Sequence, residues 1–187
     1  MKHLARLVLS ALLAVALAEH EAHALGPVDV EVGARAGVAT KPDSGGASPF
    51  GLGFGGRAGL SFFHVYAGLS GIHYFGSSSD LLTPHGVVTS QYSSTLIGLE
   101  VGYSITLGPK VLIRPQLGIG NASFAFSDAA SQSHLYLEPG VTALLLLGNL
   151  YLGADANILA VPGIEQGDRG TRTYASLTAH GQIGLRF

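Results

Sequence analysis

The stretch Ile97-Gly98-Leu99-Glu100-Val101-Gly102-Tyr103-Ser104-Ile105 alternates without a break. Ile97, Leu99, Val101, Tyr103 and Ile105 share one face of an extended chain; Gly98, Glu100, Gly102 and Ser104 share the other. Successive side chains on a strand point to opposite faces, so a period of two specifies a strand with one apolar and one polar side. A helix would need its apolar residues three and four apart.

The same alternation recurs on both sides of this stretch. It gives eight segments, at about 28–39, 51–63, 64–75, 91–105, 110–122, 134–147, 150–160 and 174–187. The third is out of phase: Val65, Ala67 and Leu69 share a face that His73 then joins and Ile72 does not. A bulge near Gly71 would restore it. Between the segments, residues 40–50, 76–90, 123–133 and 161–173 are rich in Gly, Ser, Asp and Pro and read as long loops. The joins at Phe63-His64, Thr106 to Lys110 and Gly148-Asn149 read as tight hairpin turns. Four long loops therefore leave one end, and three tight turns and both termini share the other.

Composition narrows the class. The chain has 187 residues, 12% charged and 47% hydrophobic, with 27 Gly and neither Cys nor Trp. Ordinary soluble domains carry about 25% charge. High apolar content excludes most disorder. A net charge of −2 leaves no basic footprint, so no nucleic-acid partner is expected. The absence of Cys excludes disulfides and Cys-based zinc sites. Residues 1–24 read as an export signal: Lys2 and Arg6, an apolar run from Leu7 to Ala18, then the small-x-small form Ala22-His23-Ala24, with cleavage expected after Ala24. That apolar run is too short for a helix to cross a hydrocarbon core of about 30 Å. Residues 25–187 are then one domain.

Alternation alone fits a soluble barrel with its apolar face inward or a membrane barrel with that face outward. Three features favour the membrane. The polar face is mostly Gly, Ser, Thr and Gln, and the two lysines after the signal, Lys41 and Lys110, sit at loops or turns. A water-facing sheet carries more charge, whereas small residues suit the inside of a narrow eight-stranded barrel. The aromatics gather at strand ends. Phe62, Phe63, Tyr103, Tyr151 and Phe187 lie at the tight-turn end. Phe50, Phe54, Tyr74, Phe75, Tyr92, Phe124, Phe126, Tyr136 and Tyr174 lie toward the loops. Two aromatic girdles around an apolar band match a bilayer. An exported chain that spans lipid without helices must also close its sheet.

With its export signal, eight alternating strands and the ending Gln182-Ile183-Gly184-Leu185-Arg186-Phe187, the chain resembles the small eight-stranded outer-membrane barrels of Gram-negative bacteria, the OmpA/OmpX-like family. The resemblance covers residues 25–187. It implies an all-β, antiparallel, up-and-down transmembrane barrel, with its termini in the periplasm and its long loops outside the cell. It also implies that Ile183, Leu185 and Phe187 form the assembly signal read by the β-barrel assembly machinery. Gln182 stands where the family carries glycine. No peptidoglycan-binding domain is expected after Phe187.

On this orientation Asp29, Glu31, Arg35, Arg57, Glu100, Arg114, Glu138, Asp155 and Arg186 face the lumen. Buried charges must pair. Counting across hairpins suggests a Glu100–Arg114–Glu138 ladder, Arg186 against Asp29 or Glu31, and Arg35 and Arg57 reaching across to other carboxylates. Pro115 and Pro139 fall nearly opposite each other, which suggests a local bulge or widened pairing there.

No catalytic, cofactor or metal site is expected. His64, His73, His85, His134 and His180 are scattered without metal-ligand spacing. Gly51-Leu52-Gly53-Phe54-Gly55-Gly56 lies in a strand with no helix to hold phosphate. The loop residues Asp80, His85, Glu165, Asp168, Arg169 and Arg172 offer contact surfaces without naming a partner. The expectation is a monomeric, non-enzymatic barrel in outer-membrane lipid. It would have no open pore and would serve a structural or surface-contact role such as adhesion or envelope integrity. Three alternatives stay open: a lipid A deacylase-like enzyme using His73 with Ser70 or Ser77, a narrow channel, or a soluble periplasmic ligand-binding barrel.

Overall fold

The computed structural model describes residues 28–40, 48–83, 86–126, 129–165 and 171–187. The expected export signal and its cleavage site lie outside them. The strands are β1 (Val28–Ala39), β2 (Leu52–Phe62), β3 (Val65–Thr83), β4 (Gly86–Tyr103, resuming after Ser104 as Ile105–Leu107), β5 (Val111–Phe126), β6 (Ala129–Leu147), β7 (Leu150–Glu165) and β8 (Thr171–Arg186). Each pairs antiparallel with the next, and β8 pairs with β1. Phe187 and Val30 close the seam with reciprocal backbone bonds of 3.0 and 2.9 Å. The result is a closed eight-stranded up-and-down barrel with no free sheet edge. Tight turns join β2 to β3, β4 to β5 and β6 to β7. Gly108 and Gly148 adopt positive φ there (70° and 66°), as does Phe63 (53°) without being glycine.

The strands outrun their alternating segments. β3 and β4 extend to Thr83 and from Gly86, so most of the expected 76–90 loop is a paired hairpin. The 123–133 and 161–173 connections are likewise largely strand. Alternation reports the length facing lipid, whereas backbone pairing continues past it, through Asp80, Glu165 and Arg172 as well as neutral residues. His85, Asp168 and Arg169 lie outside the described residues.

The third strand keeps its phase. Val65 to Phe75 pair without interruption to both β2 and β4, and the register shift falls between Phe75 and Ser78 instead of near Gly71. Ile72 does point inward and His73 outward. The lumen is apolar at this level, so an apolar residue does not mark the outer face. The prolines also behave differently from expectation. Pro115 pairs with Val141 and Pro139 with Leu117 in an unshifted β5–β6 ladder. The gaps lie on their other flanks. The β4–β5 ladder lapses between Gly102↔Gln116 and Ile105↔Ile113, and the β6–β7 ladder between Leu137↔Ala160 and Gly140↔Asn157. A proline has no N–H to donate to the neighbouring strand.

The faces divide cleanly. Leu52 (63% exposed), Leu69, Leu99, Ile97 and Leu177 point outward, while Arg35, Arg57, Glu100, Arg114 and Glu138 are buried inside. The aromatic girdles are thinner than expected. Phe62, Phe63 and Tyr103 point outward at the tight-turn end, and Phe54 and Phe75 near the other. Tyr74, Tyr136, Tyr151, Phe50 and Phe124 turn into the lumen, as does Tyr66. Each inward tyrosine covers glycines of the inner wall: a Cβ on Gly59 or Gly68 would collide with Tyr66, and one on Gly98 with Tyr136.

Leu99→Arg on the lipid face should lower unfolding stability in lipid vesicles by about 2–4 kcal/mol, and Thr173→Arg beyond the apolar band by only about 0–1 kcal/mol. Equal losses at the two positions in denaturant titrations would contradict this placement of the bilayer.

Candidate functional site: the filled lumen

The inner wall is a stack of layers. At the tight-turn end Leu112, Leu144 and Tyr151 form an apolar seal, with Leu146 against it. Beside it Arg186 of β8 meets Asp29 of β1 at 2.5 Å, and its Nε stands 3.9 Å from Glu31.

The next layer centres on Arg114 of β5, which is fully buried. Its Nη1 and Nη2 donate to Glu31 Oε2 and Oε1 at 2.9 and 2.6 Å, and its Nε donates to Ser104 Oγ at 3.0 Å. Ser61 Oγ donates to Glu31 Oε1 at 3.0 Å. The guanidinium lies 4.0 Å over the Tyr66 ring, and that of Arg57 lies 4.8 Å from the same centroid. A two-pronged arginine–carboxylate pair with every Arg114 nitrogen engaged is the geometry in which attraction offsets the desolvation of two ions.

Above it Glu100 of β4 serves two arginines. Arg35 Nη1 donates to Oε1 at 3.1 Å. Arg57 Nη2 lies 3.0 Å from Oε2, an ion pair by distance whose angle is outside hydrogen-bond geometry. Arg57 Nε also donates to Tyr66 OH at 3.2 Å. Higher still, His180 of β8 links its ladder neighbour on β7 to β3 across the lumen: its Nδ1 lies 2.5 Å from Asp155 Oδ1 and its Nε2 2.7 Å from Tyr74 OH. Glu138 accepts from neutral donors, Thr178 Oγ1 at 2.9 Å and Asn157 Nδ2 at 3.5 Å.

The loop end closes with a second apolar cluster, which includes Ile72, Tyr74, Leu96, Phe124, Leu159 and Val161 around Phe50.

The expected charge set therefore lies in the lumen with some partners exchanged. Arg35 and Arg57 reach a shared carboxylate, and Arg186 meets Asp29. The Glu100–Arg114–Glu138 ladder does not form. Glu100 and Glu138 both flank Gly118, and Arg114 lies opposite Thr142. The β4–β5 register is set further along the chain than the turn count suggested, which moves Arg114 toward the tight-turn end and Glu31. Sequence reading also missed His180, Tyr66, Tyr74, Asn157 and Thr178. Their signal is their phase, since each occupies the inward position of its strand. Nor do His73 and Ser70 form a catalytic pair. His73 points outward and bonds Thr95 Oγ1 at 2.8 Å, whereas Ser70 is buried inside. Ser77 Oγ is engaged by Ser48.

A family model described as "Outer membrane protein beta-barrel domain" matches residues 7–180. The chain belongs to that family. It is an integral outer-membrane β-barrel protein, and its exposed leucines and valines form the lipid-facing wall. Solved structures show the same fold. The N-terminal barrel domain of OprF from Pseudomonas aeruginosa is 18% identical, with a TM-score of 0.56 over 85% of this chain and 97% of that one. A major outer membrane protein of Thermus thermophilus is 16% identical, with a TM-score of 0.56 over 86% and 99%. Neisserial surface protein A is 15% identical, with a TM-score of 0.55 over 86% and 96%. A comparison with curated proteins gives no match.

Replacing Arg114 by Met leaves Glu31 charged and buried, so unfolding stability should fall by about 3–5 kcal/mol. Adding Glu31→Gln should recover much of that loss, and additive single and double losses would dismiss the coupling. Glu100→Gln strands two arginines and should cost more than Glu138→Gln, whose donors are neutral. Thermal midpoints of the two variants, compared side by side, check the order.

Proposed function

We propose that this barrel is a sealed membrane scaffold without an open pore, which serves a structural or surface-contact role through its loop end. The carrying observation is the filled cross-section: apolar seals at both ends and buried ion pairs between them. An ion entering that path would have to displace arginines and carboxylates that are already paired with one another. On this reading the protein is monomeric and its partners are outer-membrane lipid and, during insertion, the β-barrel assembly machinery reading Ile183, Leu185 and Phe187. The tight turns and termini face the periplasm, and the loop end faces outward in a Gram-negative envelope. Loops on a rigid scaffold commonly carry recognition, which supports adhesion or envelope contact over chemistry. The reading gives the protein no catalytic role.

In planar bilayers the purified protein should give no discrete conductance steps, while cell fractionation should find it in the outer membrane with heat-modifiable gel mobility. Steady unitary steps would replace the scaffold reading with a channel.

A further inference from the structure

The two seals differ in how they are held. Leu112, Leu144 and Tyr151 at the tight-turn end belong to paired strands, so none can leave without breaking a ladder. Phe50 at the loop end belongs to the β1–β2 connection, yet it is only 1% exposed. Its ring sits edge-to-face on Tyr74 and on Phe124, with both centroids 5.9 Å away. Ile72, Leu96, Leu159 and Val161 share that chamber.

The segment carrying Phe50 is pinned at the rim by polar bonds. Ser77 N–H donates to Ser48 O and Ser48 N–H to Ser77 Oγ, both at 2.8 Å. Ser94 Oγ donates to Pro49 O at 2.9 Å. β3 leaves its ladder for this purpose: the shift between Phe75 and Ser78 frees Ser77 to pair with Ser48. Gly76 allows the approach, because a Cβ there would collide with Ser48 O and Tyr92 O and stand 2.9 Å from Pro49 Cα. Water can replace rim bonds of this kind, whereas it cannot replace the aromatic contacts.

We propose that the loop end of the lumen is a vestibule for one small uncharged aromatic molecule, and that Phe50 is its built-in stopper. The chamber already holds a phenyl ring between two aromatic edges, and the ring arrives on a tether outside the sheet. A planar apolar guest can take the same contacts once the Ser48–Phe50 segment lifts. Charged guests are excluded by the apolar wall. Beneath, Tyr74 OH is already engaged by His180, so the vestibule ends blind. The inference uses the closed-lumen reading only for that blind end.

The chain has no cysteine, so Ser48→Cys supplies a single reporter in the full protein refolded into lipid nanodiscs. Its labelling by an aqueous maleimide should be slow and should accelerate several-fold with indole, as the guest holds the segment off. Phe50→Ala and, separately, Gly76→Val should each raise the labelling rate by about tenfold or more without indole. Heat-modifiable mobility verifies that each variant is folded, and Phe50→Leu, expected at an intermediate rate, replaces any variant that is not. A Ser78→Cys reporter on the outer wall should ignore indole. The proposal fails if indole leaves Ser48→Cys labelling unchanged, if it accelerates Ser78→Cys equally, or if unseating Phe50 leaves Ser48→Cys slow. Conductance steps in Phe50→Ala would instead overturn the closed-lumen reading and leave the vestibule standing.

Discussion

Backbone hydrogen bonding in an apolar medium is the constraint on which this structure depends. In lipid an unpaired N–H or C=O costs several kcal/mol, so a spanning sheet must close on itself. Closure turns one face of every strand to lipid and the other to a narrow lumen. Leucines and valines that would build a soluble core become the exposed wall, and the polar face has to build the core. Arginines, carboxylates, tyrosines and glycines therefore do the packing that aliphatic side chains do elsewhere.

That inversion explains the company the charges keep. Arg114 and Glu31 face each other from β5 and β1 on opposite walls, and Arg35 and Arg57 converge on Glu100 from β1 and β2. Each pair ties strands that share no ladder. Tyr66 bridges two guanidinium groups while its ring covers Gly59 and Gly68. Glycine on the inner wall is thus the space an inward tyrosine occupies. At the loop end the polar filling gives way to Ile72, Leu96, Leu159 and Val161 around Phe50, so the lumen changes character along its axis.

The β3 bulge and the prolines show where local sequence departs from a regular ladder and what each departure does. Gly76-Ser77 leaves the β3–β4 pairing and meets Ser48 instead. Pro115 and Pro139 each disturb the ladder on the flank where an N–H is missing, while the ladder between them stays in register. Ser104, released beside Pro115, accepts from Arg114 Nε and donates its N–H to His64 O.

Period-two alternation, low charge and terminal aromatics were enough to determine eight strands, the closed barrel and its orientation, because facing lipid or lumen is a property of each residue's parity along its own strand. The same parity placed Glu31, Arg35, Arg57, Glu100, Arg114, Glu138 and Asp155 in the lumen. It could not pair them. Strands in a barrel tilt, so residues that meet across the lumen are far apart in sequence and their heights depend on every register around the ring: Arg114 and Glu31 are separated by 83 positions, and a few residues of register exchange Glu138 for Glu31. Only the closed tertiary structure decided those partners, the meeting of His180 with Tyr74, the two guanidinium groups on Tyr66, and the burial of Phe50 from outside the sheet, because each is a contact between walls that no single strand specifies.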